Sequence, residues 1–329
     1  MKRIPLSWEA FDLLATGRSD ARSLATLKAG QFSKHMLLLR LVKTETDLCL
    51  DALEELSPDR FTEIVSDPHF GAWAARTLRS AAKADLGDVL SQPEHRRYLS
   101  ARFGDDVISL LLNDFSPYRD LPRLPPAGRL PDDAVSLWQD MFTEAWTILA
   151  RDHAEHAAEI SSCIVSLVPL QHNAQQRFSA TARDAFGAVA LTTPTGGTDF
   201  AVTLVHECQH TKLDALLDLV ELYDPSDTRR YYSPWRADPR PNWGVLHGTY
   251  AFLGVAEFWR LEGNRFEFAH TAEQLRRALD VLDTTRLTES GRRFARGMRS
   301  TVDSWAVPDE PEATAAVERH WTTWQAANA

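Results

Sequence analysis

The strongest chemical signal in this sequence is a run of five residues, His206-Glu207-Cys208-Gln209-His210, which has the pattern HExxH. Residues four apart on a helix lie one turn apart on the same face, so His206 and His210 could direct two imidazoles at one cation. Imidazole is a ligand for zinc, iron, copper and nickel. Glu207 would point beside the cation, where it could orient a bound water or act as an acid or base. The spacing therefore predicts a metal-binding helix with Glu207 as its catalytic residue.

The third metal ligand must come from elsewhere, because the sequence does not continue as HExxHxxGxxH. The downstream candidates are His247, Glu257 and, more weakly, Glu221. His247 stands at the start of a predicted helix, and Glu257 follows ten residues later, which is nearly three helical turns. Both can therefore lie close to one face of that helix. We favour His247 as the third ligand and keep Glu257 in reserve.

Several blocks around the motif are similar to one protein family. They are LVHECQHTKLDALLD (Leu204–Asp218), YSPWRADPRP (Tyr232–Pro241) and GVLHGTYAF (Gly244–Phe252), with FSATARDAFGAV (Phe178–Val189) upstream. Together they resemble the HExxH-motif proteins found beside ribosomally synthesised, post-translationally modified peptides. The resemblance covers about residues 165–265, whereas the N-terminal half is similar only in being helical.

This resemblance implies an iron(II)- and 2-oxoglutarate-dependent dioxygenase that β-hydroxylates a side chain of a precursor peptide. It implies His206, His210 and His247 as iron ligands, with Glu207 orienting groups around the metal. Three histidines depart from the two-histidine, one-carboxylate set of most non-haem iron oxygenases. The identity of the third ligand therefore stays open between His247 and Glu257.

A 2-oxoglutarate cosubstrate would also need a cation for its far carboxylate, and arginine suits this role because it can bind in a bidentate manner. The candidates are Arg183, Arg236 and Arg240, with Ser179 or Tyr232 as hydroxyl donors. Alternatively, Arg236 and Arg240 only form ion pairs with acidic residues of their own loop, Asp238 and Asp224.

Two other functions fit the motif. A zinc-dependent peptidase would use Glu207 as the general base for a zinc-bound water, with His206, His210 and either Glu257 or His247 as ligands. A non-catalytic module would bind the precursor peptide and present it to other enzymes. The motif alone favours the peptidase, while the blocks around it favour the hydroxylase.

The elements that position these residues are predicted to be mainly α, of the α+β class: a helical bundle with a small β element and the HExxH helix. Residues 1–115 are predicted to form a helical N-terminal region, 116–131 a proline-rich connection and 132–329 the metal-binding catalytic region. The alternative is that all three belong to one continuous domain. Strands are expected at Ile164–Val168 and Gly187–Thr192. Helices are expected around Leu37–Leu53, at Phe70–Ala82, Asp105–Leu112, from Asp132, from Thr198 or Asp199 to about Tyr223, at Trp243–Leu261, Glu273–Leu282 and Glu289–Trp305, and around Val317 and Trp321.

Composition narrows the classes of partner. The chain has 329 residues and a formal net charge of −10, and it holds no long basic run. These features argue against binding to nucleic acid or to a membrane surface, both of which need positive charge. Three widely spaced cysteines predict reduced thiols, and no apolar stretch approaches the length of a membrane span. A cytoplasmic protein is therefore expected, and no pattern indicates an oligomeric state.

Overall fold

The computed structural model describes residues 6–79, 85–90, 96–119, 124–171 and 177–328. It is 61% helical, and the described residues form thirteen helices and one five-stranded mixed sheet, which confirms the predicted mainly-α, α+β class. The helices are α1 Trp8–Ala15, α2 Ala21–Glu45, α3 Asp51–Glu54, α4 Pro58–Ser66, α5 Pro68–Arg79, α6 Gly87–Leu90, α7 Asp132–Asp152, α8 Ala154–Cys163, α9 Gly197–Leu217, α10 Asn242–Leu261, α11 Arg265–Asp283, α12 Glu289–Asp303 and α13 Pro311–Ala327. The strands are β1 Arg97–Phe103, β2 Asp106–Leu112, β3 Ser166–Pro169, β4 Ser179–Thr181 and β5 Ala188–Leu191.

The chain divides into two compact units. The first comprises the residues up to Thr26 together with those from Cys208 onward, and the second comprises Leu27–Glu207. The divisions fall inside α2 and inside α9, so that His206 and Glu207 belong to the second unit while His210 belongs to the first. The described part of the proline-rich connection lies inside the second unit.

The sheet of the second unit has the strand order β1-β2-β3-β5-β4. Its three central strands are parallel, and β1 and β4 pair antiparallel to their neighbours. All residues of β3 and β5 are buried, as expected for parallel strands covered on both faces. Beside the sheet, Trp138 and Phe142 of α7 pack against Phe200 of α9, with ring centroids 5.8 and 5.7 Å apart. These contacts hold the N-terminal half of the motif helix.

The predicted helix over Asp105–Leu112 is wrong, because these residues form the second strand of a hairpin. Gly104 adopts φ +57° in the two-residue loop between β1 and β2, a conformation that glycine reaches without strain. Along β2 the exposed Val107 is followed by the buried Ile108, and Leu110 is buried again. The spacing of apolar residues in this short run fits both the helical and the strand period. Pairing with β1 and β3 therefore decides its conformation.

The proline-rich connection is bonded to the sheet where it is described. Pro126 forms a bridge with Leu170, which continues the chain from β3. The fully buried Asp114 accepts a hydrogen bond from the backbone N–H of Leu130 at 3.0 Å. Pro122 lies outside the described residues.

In the first unit, α10 packs on α11, α11 also contacts α12 and α13, and α1 packs on α12. The α10 and α12 helices begin within one residue of their predicted starts, and α10 ends at Leu261 as predicted. The last helix, α13, contains Val317 and Trp321, which confirms the predicted helix around these two residues. Among the helices in the described ranges, none is both long enough and apolar enough to cross a membrane.

Candidate metal centre

The motif lies on α9, which is buried along much of its length. The helix begins at Gly197, so Thr198 and Asp199 lie in its first turn and are not its cap as predicted. Asp199 still closes this end of the helix, because its carboxylate accepts a hydrogen bond from the backbone N–H of Thr195 at 2.9 Å. The helix ends at Leu217, earlier than the predicted Tyr223. Its apolar residues Phe200, Ala201, Leu204 and Val205 are at most 1% exposed and fix the helix in the core.

His206 and Glu207 lie at the end of the second unit. The side chain of His206 is 22% exposed, and desolvation of its ring lowers its pKa to about 4. His206 is therefore a neutral imidazole near pH 7, the form that binds a metal. Glu207 is 1% exposed, and its Oε1 lies 3.9 Å from Nε2 of His206. A buried carboxylate is thus fixed beside the first histidine of the motif.

His247 of α10 lies beside the motif helix within the first unit. Its ring is stacked on that of His210, with centroids 5.7 Å apart and an interplanar angle of 27°. Its Nε2 lies 3.7 Å from Oδ1 of Asp214. The structure therefore brings two imidazoles and one carboxylate together at the point where α9 meets α10.

Asp214 is the residue that the sequence reasoning missed. It follows His210 by four residues, just as His210 follows His206, so the three side chains start from one face of a continuous helix. The signal was therefore present in the spacing HExxHxxxD.

The donor set of His210, Asp214 and His247 fits a metal ion by its chemistry. Two imidazoles and a carboxylate are the usual protein ligands of non-haem iron(II), and the same groups bind zinc. Within the parts of the chain that the structure describes, no three His, Cys, Asp or Glu side chains are closed around a common point. The assignment of a metal centre therefore rests on the chemical type of these three donors and on their being close to one another.

The two carboxylates considered as third ligands have other surroundings. Glu257 forms a two-pronged ion pair with Arg260, with N···O distances of 2.8 and 2.7 Å. Glu221 is exposed and lies after the end of α9. Of the predicted third ligands, His247 contacts His210 through its ring.

Aromatic side chains surround His247. Trp235 is stacked on Phe252, with centroids 4.7 Å apart, and its indole covers Gly248. Trp243 is 44% exposed and its ring is edge-on to that of His247, with centroids 6.1 Å apart. An apolar wall with one exposed indole thus borders the candidate metal centre.

The loop candidates for binding 2-oxoglutarate are engaged in contacts within the first unit. Arg236 and Arg240 both pair with Asp238, at 3.2 and 3.1 Å, as the alternative interpretation of these residues predicted. Asp224, the other acidic residue considered for that role, instead accepts a hydrogen bond from the backbone N–H of Ser226. The Asp238 pairs are half-exposed, so screening by water keeps them weak.

The remaining binding candidates belong to both units, Tyr232 to the first and Ser179 and Arg183 to the second. Tyr232 is buried, its hydroxyl shares a hydrogen bond of 2.9 Å with Nδ1 of His320, and burial raises its pKa to about 12. Ser179 lies on the edge strand β4, where it pairs with Leu191. Arg183 follows that strand in the second unit and lines a cavity there.

A second pair of histidines differs from its predicted setting. The neighbouring Asp152 and Glu155 predict a solvated helix face for His153 and His156, but the two histidines are only 2% and 9% exposed. His153 lies at the junction of α7 and α8, and Nδ1 of His156 is 3.9 Å from Glu159. The polar residues between the two histidines gave no indication that this junction of two helices is buried.

No protein-family model matches this chain, and no curated protein matches it. The similarity of the blocks around the motif to the HExxH peptide-modification proteins therefore stays a prediction.

Proposed function

We propose that this protein is a metal-dependent enzyme, and specifically an iron(II)- and 2-oxoglutarate-dependent hydroxylase of a peptide side chain. The observation that carries the proposal is the position of His247, beside both His210 and Asp214. This neighbourhood supports a metal centre because it adds donors from outside the HExxH run. A two-histidine, one-carboxylate set further favours iron over a structural zinc site.

The residues of the chain would have different roles at this centre. His206, His210, His247 and Asp214 supply the donors from which the metal ligands are drawn, and a neutral His206 is ready to bind. Bound iron(II) with 2-oxoglutarate supplies the oxidising power for hydroxylation by dioxygen. Glu207 orients groups beside the metal, because it is buried next to His206.

The exposed indole of Trp243 suits a peptide substrate, because it offers an apolar surface next to His247. The stacked, half-buried pair of Trp235 and Phe252 supports the helix turn that carries His247. A peptide side chain lying on this wall would be brought to the metal ligands.

The test is anaerobic reconstitution with iron(II), followed by addition of 2-oxoglutarate, dioxygen and candidate precursor peptides. We expect formation of succinate and a mass increase of one oxygen in the peptide. His247→Ala should abolish both signals, whereas His270→Ala, on the neighbouring α11, should leave them unchanged. Turnover that persists in His247→Ala would reject His247 as a ligand.

A zinc peptidase is the second candidate, and the burial of Glu207 beside His206 favours it. The Glu207→Gln variant separates the two functions. As a general base Glu207 is indispensable, so a peptidase should lose about a thousandfold or more of its rate. A hydroxylase should retain measurable succinate formation, since its carboxylate only orients other groups. Zinc-dependent cleavage without any need for 2-oxoglutarate would replace the hydroxylase proposal.

A further inference from the structure

Two helices of the first unit, α11 and α13, border an open groove of about 470 Å³. Its lining combines apolar side chains with two charges of opposite sign: Phe266 of α11, and Pro311, Glu312, Ala315 and Arg319 of α13. The four α13 residues are exposed, and the aromatic side chain of Phe266 is 39% exposed. Apolar side chains rimmed by charged ones are typical of a contact surface for another protein.

Contacts between side chains fix the shape of this groove. Arg265, the first residue of α11, pairs with Glu310, the residue before α13, at 2.7 Å. The ring of Phe266 is stacked on that of His270, one turn later on α11, with centroids 5.8 Å apart and an interplanar angle of 19°. A partner would therefore meet a surface that needs little reordering on binding.

Glu312 and Arg319 are the two charged residues of the groove lining. In the part of the chain that the structure describes, neither side chain forms a hydrogen bond or an ion pair. They are seven residues apart, so they lie on one face of α13, two turns or about 10.5 Å from each other. Ala315 lies on the same face, next to the midpoint between the two charges.

This arrangement is complementary to itself. If a second α13 lies antiparallel across the first, Glu312 of each copy faces Arg319 of the other, and a twofold axis passes beside Ala315. The small side chain of Ala315 permits two helices to approach closely, and Phe266 of both copies would lose contact with water. In a parallel arrangement, equal charges would oppose each other.

We propose that this groove is a homodimer interface, to which a second copy of the chain binds through its own groove between α11 and α13. Each chain has a formal net charge of −10, so two copies repel each other at long range. At about 0.15 M salt the screening length is about 8 Å, so this repulsion is largely screened while ion pairs in direct contact remain. The contact surface is small, which predicts a weak dimer with a dissociation constant in the micromolar range. This inference does not depend on the metal centre.

Sedimentation velocity of the full chain tests the proposal from about 1 to 300 µM at about 0.15 M salt, with EDTA and a reducing agent present. The reducing agent prevents disulfides through the exposed Cys49. We expect the weight-average mass to rise with concentration towards that of two chains. Glu312→Arg and Arg319→Glu should each weaken the dimer at least about tenfold, because both ion pairs become repulsive contacts. An equimolar mixture of these two variants should recover the dimer, since each then supplies the charge that the other requires.

Glu289→Arg and Arg296→Glu are the matched controls. Both residues are exposed and seven apart on α12, and Glu289 lies in the first turn of its helix, as Glu312 does. Arg292 stands between them where α13 has Ala315, so this face of α12 carries the same charges without the apolar part. These two variants should dimerise as the unaltered chain does.

A chain that stays monomeric over the whole concentration range would overturn the proposal. So would a dimer that tolerates both charge reversals, a mixture that stays monomeric, or an equal loss of the dimer in the control variants. Recovery in the mixture supports the antiparallel contact, because one misfolded variant could not be repaired by the other. Circular dichroism of each variant checks that it is folded. The mass measurements need neither metal nor turnover, so they fail independently of the hydroxylase assay.

Discussion

At the scale of single residues, the candidate metal centre depends on where Asp214 lies. Its position four residues after His210 places it on the motif face of α9, and Oδ1 lies 3.7 Å from Nε2 of His247. In a metal centre this carboxylate has two possible tasks. It can bind the ion directly, or it can accept a hydrogen bond from His247 and so orient that imidazole.

In either task, Asp214→Asn should weaken metal binding. We expect the affinity for iron(II) or zinc to fall about 10- to 100-fold, because an amide neither carries charge nor orients imidazole as well. Glu257→Gln is the matched control, since that carboxylate is paired with Arg260 and should not affect metal affinity. Competition with a chromophoric chelator measures both constants. If the Glu257 variant loses the metal and the Asp214 variant retains it, the reserve ligand is the true one.

The sequence predicted part of this centre because helix periodicity links His206 to His210 without any tertiary knowledge. His247 could be suggested because it lies in the second turn of the next helix, and the structure places its ring against His210. Asp214 followed the same periodicity and was missed. The alternative that Arg236 and Arg240 pair with Asp238 and Asp224 was right for Asp238, which stands two residues from each arginine.

At the scale of secondary structure elements, α10 carries His247 and packs tightly at one glycine. A Cβ atom at Gly248 would lie 2.3 Å from the indole of Trp235, which is itself stacked on Phe252. A Cβ atom at Gly244, one turn earlier, would lie 3.3 Å from the flexible side chain of Arg240. The helix can therefore approach the indole only at a residue without a side chain.

Gly248→Ala should destabilise the protein by about 1–3 kcal/mol, because the rigid indole must leave its stack on Phe252. Gly244→Ala should be neutral or stabilising by less than about 1 kcal/mol, since alanine favours the helix and Arg240 can move. Urea unfolding monitored by tryptophan fluorescence measures both changes. Equal stability of the two variants would contradict the close packing of Trp235 on α10.

The helices were more predictable than the strands, for a physical reason. Long amphipathic segments such as α7 and α10 can be recognised from the sequence alone, and the start of each was predicted within one residue of the observed start. The β2 strand was mistaken for a helix because its conformation is imposed by pairing with β1 and β3. The β3 strand lies far away in the sequence, and the short β2 run has no local period of sufficient length to predict a strand.

At the scale of the whole molecule, partly and fully buried histidines couple stability to pH. Burial lowers the pKa of His35, His206, His270 and His320. A lowered pKa means that the folded chain binds fewer protons than the unfolded chain between the two pKa values. As far as these histidines are concerned, the free energy of unfolding should therefore reach its full value above about pH 6.5, the ordinary pKa of histidine. It should decrease as the pH falls below that pKa.

His35 allows this coupling to be tested away from the motif. It is 1% exposed, and its Nδ1 lies 2.7 Å from the carbonyl of Val65. Desolvation is the largest influence on its pKa; the Val65 bond and the Asp67 and Asp184 carboxylates raise the pKa, and Lys34 lowers it. His35→Gln should lose some stability at pH 7, and its free energy of unfolding should depend less steeply on pH below about pH 6.5, by up to about 1.4 kcal/mol per pH unit. Urea unfolding at several pH values, with EDTA present so that metal release does not contribute, measures the slope. A slope identical to that of the unaltered chain would mean that His35 can take up its proton in the folded state, and burial could then no longer be the main determinant of its pKa.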